Sequence, residues 1–133
     1  MSFFERVEHT ADLAILVRGE DVPALFANAA RALFQLMTEP PAAPERTREI
    51  TLESVDRESL LVDWLNELIY LHEVEGETYA EFRITAFTPT ALTAQVIGGA
   101  TTRKLKTIKA ATYHDLRITE TAGGAEAHIV FDV

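Results

Sequence analysis

The chain of 133 residues contains no cysteine. A disulfide framework, thiolate zinc, iron–sulfur ligation and a cysteine nucleophile are all excluded by that absence. Glycine and proline are sparse, at 6 and 5 residues, so neither a collagen-like nor a low-complexity chain is possible. Cations are scarce too. The 12 Lys+Arg face 21 Asp+Glu, for a net charge of -9. Direct attraction of the whole protein to phosphate backbones is disfavoured, because such binding is dominated by cations. No run approaches the ~20 apolar residues of a membrane span, and the acidic N-terminal segment is unlike a secretory signal. A cytoplasmic protein with no membrane association is therefore expected. Several motifs are missing as well. There is no GxxxxGK[ST] loop, no GxGxxG and no HExxH, and Ser2, Ser54 and Ser59 lack a nucleophile-elbow context. Gly98-Gly99 and Gly123-Gly124 read as turns.

Apolar residues make up 47% of the chain, and the length suits one domain spanning 1–133. Two helices are legible. Asp21 is an N-cap followed by Pro23 in the first turn, and Val22, Leu25, Phe26, Ala29, Leu33, Leu36 and Met37 then recur at helical spacing. Glu39-Pro40-Pro41 stops that helix. The second starts near Asp56 and ends before Gly76. Its buried stripe is Leu60, Leu61, Trp64, Leu65, Leu68 and Leu71, with Asp63, Asn66, Glu67 and Tyr70 on a solvated face.

The remaining segments read as strands: Leu13–Val17, Glu49–Leu52, Glu81–Phe87, Ala91–Ile97, Tyr113–Thr119 and Ala127–Val133. In Glu81–Phe87, strict alternation sets Phe82, Ile84 and Ala86 against Arg83, Thr85 and Phe87. With hairpins dominant and helices as the only crossovers, the expected fold is α+β. It would be a two-layer sandwich in which two long helices pack on one face of a mostly antiparallel or mixed sheet.

Charge is segregated. Residues 82–114 contain no acid but hold Arg83, Arg103, Lys104, Lys106 and Lys109, whereas the first 81 residues carry net -11. A solvated hairpin whose lysines guard a sheet edge explains this stretch without a partner.

Two segments carry candidate chemistry. His9-Thr10-Ala11-Asp12 is a polar break between the apolar runs Phe3–Val7 and Leu13–Val17. At the other end, Ala127-His128-Ile129-Val130-Phe131-Asp132-Val133 would hold an α-carboxylate beside the Asp132 side chain. Two adjacent carboxylates repel, and a hard cation such as Ca²⁺ or Mg²⁺ relieves them. A third ligand is not visible from this segment alone.

Three further stretches join these. Phe4–Asp12 followed by Leu25-Phe26-Ala27-Asn28-Ala29-Ala30, then Leu61-Val62-Asp63-Trp64-Leu65-Asn66-Glu67-Leu68, then Ile108–His114 and the closing Phe131-Asp132-Val133, resemble the archease family in order along almost the whole chain. Archeases are small acidic cofactor proteins of the RtcB-type RNA ligase. That ligase carries Mn²⁺ and the histidine that accepts GMP from GTP, and it joins tRNA halves or repairs broken RNA.

The resemblance implies a non-catalytic activator that promotes ligase guanylylation and repeated turnover, meeting RNA only through its partner. It implies a divalent-metal site (Ca²⁺, Mg²⁺ or Mn²⁺) of Asp12, Asp132 and a main-chain oxygen of Val133. Lys109 falls on a family lysine and is assigned to partner interaction, since an ammonium has no lone pair to offer a metal. His9 joins it as a candidate activation residue. The stretch Ile97–Lys106 reads as a short loop, and since its family equivalent varies the resemblance assigns it no docking role. A chaperone-like protein-binding module, and a small metal-dependent hydrolase using His9 as base, are the alternatives.

Overall fold

A computed structural model describes residues 3–7, 12–41 and 43–133. Ten elements follow in order: β1 (Phe4–Val7), β2 (Leu13–Gly19), α1 (Val22–Met37), β3 (Arg46–Glu53), α2 (Arg57–Glu75), β4 (Glu77–Thr88), β5 (Ala91–Ala100), β6 (Ala110–Ala111), β7 (Arg117–Thr121) and β8 (Gly124–Asp132). The α+β class holds, and every strand pairing is antiparallel. There are two sheets rather than one. One runs β1-β2-β8-β6 with β7 also on β8, and the other runs β3-β5-β4.

Both helices start where the capping chemistry places them. The Asp21 carboxylate accepts the Ala24 N–H at 2.8 Å, and that of Asp56 accepts the Ser59 N–H at 2.7 Å. Each satisfies an otherwise orphaned amide of the first turn. Gly76 ends α2 with φ 65, a left-handed conformation that a Cβ would disfavour. α1 packs on β2 and β8 of one sheet and on β4 of the other, while α2 touches β3, β4, β6 and β7. Because α2 meets both sheets, its buried set is wider than one stripe and includes Val62, Ile69 and His72. The core between them is aromatic. Phe34 lies 5.8 Å from Phe82 and 5.5 Å from Tyr79, and Phe26 meets Phe87 edge-on at 5.0 Å. The Trp64 indole N–H donates to the Phe26 carbonyl at 3.0 Å and ties the two helices together.

Several expectations need correction. The strict alternation of Glu81–Phe87 breaks at a register shift between Ile84 and Ala86. A bulge adds one residue and reverses the face, so Phe87 packs on the core and Ala86 is exposed. Gly98-Gly99 is not a turn but lies inside β5, where a Cβ on Gly98 would overlap the Thr78 carbonyl. Gly123-Gly124 does form the β7–β8 turn, with Gly124 at φ 138.

Tyr113–Thr119 is a strand only from Arg117. Before it the chain turns, with Asp115 at φ 52 and the Leu116 N–H donating to the Tyr113 carbonyl at 3.2 Å. The basic stretch is not a hairpin either. Residues 101–109 cross from β5 to β6 without a helix, so the helices are not the only crossovers, and the supposed loop Ile97–Lys106 begins within β5. On the way, this segment supplies partners for the end of α1. The Leu105 and Lys106 amides donate to the Met37 carbonyl, and Arg103 and Lys104 pair with Glu39 and Glu73.

Candidate metal and docking pole

β2 and β8 are both central strands of the larger sheet. Ile15 and Ile129 face each other in the core, and the ladder ends at the Leu13–Phe131 pair. One step further, Asp12 and Asp132 occupy the neighbouring ends of the two chains. Two carboxylates at neighbouring strand ends offer oxygen ligands of the kind a hard divalent cation takes. Asp132 is itself paired with β6, opposite Ala110. The Lys109 N–H donates to the Asp132 carbonyl at 2.8 Å, while the Lys109 side chain is exposed and makes no ion pair among the described residues. Val133 follows, 37% exposed. Asp12, Lys109, Asp132 and Val133 therefore fall toward one end of the larger sheet, although Asp12 and Val133 are 121 positions apart in the sequence. His9 lies outside the described residues.

Alternation puts Ala127, Ile129 and Phe131 in the core, as expected from the pattern. The opposite face is not simply solvated. Val130 is 1% exposed and Ala14 fully buried. Beside it, the Thr112 N–H and hydroxyl both donate to the Val130 carbonyl, at 3.0 and 2.9 Å. Further along this face, a groove of about 480 Å³ is lined by Leu16, Asp115, Arg117, Glu126 and His128 among others.

Asn66 was read as part of a solvated helix face, and here the structure differs. Its side-chain amide accepts the Ala111 N–H at 2.7 Å and donates to the Ala111 carbonyl at 3.3 Å. A half-buried Asn facing a short edge strand has no local signal, because its partner is 45 residues away.

The ligand chemistry at the pole is all oxygen, which suits a hard divalent cation. Among the described residues no three His, Cys, Asp or Glu side chains gather as a metal cage. Two carboxylates would thus need main-chain oxygen and water to complete a coordination shell.

The strongly shifted ionisable groups lie elsewhere, in the smaller sheet. Glu77, 3% exposed, takes Arg48 at 2.5 and 3.1 Å and Arg46 at 3.1 Å, and accepts the Tyr79 hydroxyl. Its hydrogen bonds to Arg48, Tyr79 and Arg46 outweigh burial and hold the carboxyl down at about 2. Burial, helped by Glu77, pushes the Tyr79 phenol up. These groups brace the sheet and line no part of the Asp12–Asp132 pole. Among the described residues, no helix is long and apolar enough to cross a membrane.

Comparison with known proteins agrees with this fold. The family model described as "Archease protein family (MTH1598/TM1083)" matches residues 4–133. Protein archease of Methanosarcina barkeri is 39% identical over 139 residues, covering 98% of this chain and 95% of that protein. Protein archease of Methanothermobacter thermautotrophicus is 35% identical, with full coverage of both chains. The solution structure of Methanobacterium thermoautotrophicum protein 1598 superposes with a TM-score of 0.75 at 32% identity over the whole of both chains. The crystal structure of a Thermotoga maritima archease, described as a possible chaperone, superposes with a TM-score of 0.67 over 97% of this chain and 96% of that one. At 23% identity it supports the fold alone.

Proposed function

Because the chain belongs to the archease family, we propose that it is a non-catalytic activator of an RtcB-type RNA ligase, and that its working end is the Asp12–Asp132 pole. The observation that supports this reading is the register: the β2–β8 ladder ends at Leu13–Phe131, one residue short of Asp12 and Asp132, and the Lys109 N–H bonds the Asp132 carbonyl. A divalent cation bound there would supply concentrated positive charge close to the partner's nucleotide site. Asp12, Asp132 and a main-chain oxygen of Val133 would hold it. The Lys109 ammonium, exposed beside them, would contact a carboxylate of the ligase or a phosphate of GTP. The protein's own contribution is placement of charge, with bond making left to the ligase. The net charge of -9 favours a basic partner surface and opposes direct RNA binding.

A purified RtcB-type ligase, incubated with GTP and a cleaved RNA with and without this protein, tests the reading. Faster accumulation of guanylylated ligase and more than one turnover are expected. Identical time courses would overturn it. The description of the Thermotoga maritima relative as a possible chaperone favours a second reading, in which the protein protects unfolded clients generally. Suppression of aggregation of unrelated proteins, unaffected by loss of Asp132, would select that reading.

A further inference from the structure

β6 is only two residues long, yet it is the strand that lies against Asp132. Ala110 pairs with Asp132 and Ala111 with Phe131. The Lys109 and Thr112 amides, one on each side, bond to the Asp132 and Val130 carbonyls at 2.8 and 3.0 Å. Two residues of ladder at the edge of a sheet hold weakly by themselves. The free side of such a strand also leaves one N–H and one C=O without a ladder partner. At Ala111, 5% exposed, water is poorly placed to satisfy them.

Asn66 satisfies both. Its carboxamide accepts from the Ala111 N–H at 2.7 Å and donates to the Ala111 carbonyl at 3.3 Å. A neighbouring peptide group would make the same reciprocal pair, so α2 supplies through one side chain what a further strand would have supplied. Only a carboxamide offers a donor and an acceptor at this reach without charge; Asp63, Glu67 and Tyr70 on the same helix face cannot replace it. The chain of contacts then runs from α2 through Asn66 to Ala111, and from Lys109 to the Asp132 main chain.

We infer that Asn66 is the positioning residue of the cation pole: it latches β6 in place and thereby sets the backbone that carries both Lys109 and Asp132. This rests on the cation reading above, and it adds a residue that touches neither cation nor partner.

The test compares wild type with Asn66→Leu, which removes both hydrogen bonds at similar volume, and with Asn66→Asp, which keeps the acceptor of the 2.7 Å bond. Affinity for Mn²⁺ and, separately, Ca²⁺ is measured by calorimetry at a temperature where each variant is folded. Backbone amide exchange is followed by NMR at Lys109 and Ala111, with Ile15 and Ile129 in the central strands as controls. Asn66→Leu is expected to bind cation roughly 10- to 100-fold more weakly, the usual loss when a residue supporting a metal ligand is removed. Exchange at Lys109 should rise along with Ala111 while the two controls stay protected. Asn66→Asp loses the donor to the Ala111 carbonyl, so its cation affinity should fall by less than that of Asn66→Leu and in step with faster exchange at Lys109, which keeps the inference testable even if the Leu variant unfolds. A purely stabilising Asn66 would lower the melting temperature but leave cation affinity and Lys109 exchange unchanged, and that result overturns the inference. So does wild-type cation affinity in Asn66→Asp once exchange at Lys109 has risen. If wild type itself binds neither cation, the cation reading fails first and takes this inference with it, a result distinguishable from equal binding by all three proteins.

Discussion

Arg48 on β3 reaches Glu77 on β4 across the full width of the smaller sheet, with Nε 2.5 Å from a carboxylate oxygen. β5 lies between them. Its Gly98 faces Arg46 on one side and Tyr79 on the other. Arg46 also reaches Glu77 at 3.1 Å. A buried carboxylate, two half-exposed arginines and a glycine thus form one unit.

Replacing Glu77 with Gln should destabilise the fold by roughly 2–3 kcal/mol, less than a fully buried pair because the two arginines stay partly hydrated. The pH dependence has a definite sign. Glu77 is held at about 2, below its ordinary 4.5, so the folded state gives up this proton more readily than the unfolded one. The stabilisation is complete above about pH 4.5 and is lost as pH falls toward 2. Urea midpoints measured from pH 6 down to 2 should therefore fall further for wild type than for Glu77→Gln. Parallel curves would show that the pair contributes nothing.

Gly98→Ala should be more damaging than a typical surface change. An added Cβ would overlap the Thr78 carbonyl and stand 2.6 Å from the Tyr79 Cα, both of them backbone atoms of β4. Parting β4 from β5 costs on the order of 2–4 kcal/mol, in the range of strongly destabilising core changes. A melting temperature within a degree or two of wild type would refute the close approach.

At the pole, Asp132→Asn should abolish tight divalent-cation binding and leave the melting temperature almost unchanged. Asp132 is exposed, and surface changes of this kind usually move stability by within about 0.5 kcal/mol. Asp12→Asn should behave alike in cation binding. Calorimetric titration against each variant decides it, and full retention of affinity in both would remove the pole from consideration as a metal site.

Lys109→Ala separates contact from ligation. The backbone bond from Lys109 to Asp132 survives the substitution, so cation affinity should be unchanged. Ligase guanylylation should slow by about 10- to 100-fold, the cost of one charge-assisted hydrogen bond. The measurement is guanylylated ligase formed per unit time at saturating cation. Equal rates would make Lys109 an ordinary solvated lysine.

Local chemistry was readable from the chain alone. Asp21, Asp56 and Gly76 bound the helices because capping involves groups within four residues of one another, and the apolar spacing of α1 reports its buried face directly. The resemblance implied that Asp12 and Asp132 share a site, but nothing in the local chemistry of either segment could show their adjacency. That required β2 to pair with β8 in one register, a contact between segments more than a hundred residues apart. The same holds for Asn66, which looks like solvated polar surface until β6 is laid beside it, and for Gly98, a turn signal in sequence and a crossing point in the sheet. The Ile84–Ala86 bulge reversed Phe87 for a similar reason, since alternation describes a strand only while its partner keeps step. Propensity and capping act over a few residues. Strand pairing is non-local, and it was the pairing that assembled the pole.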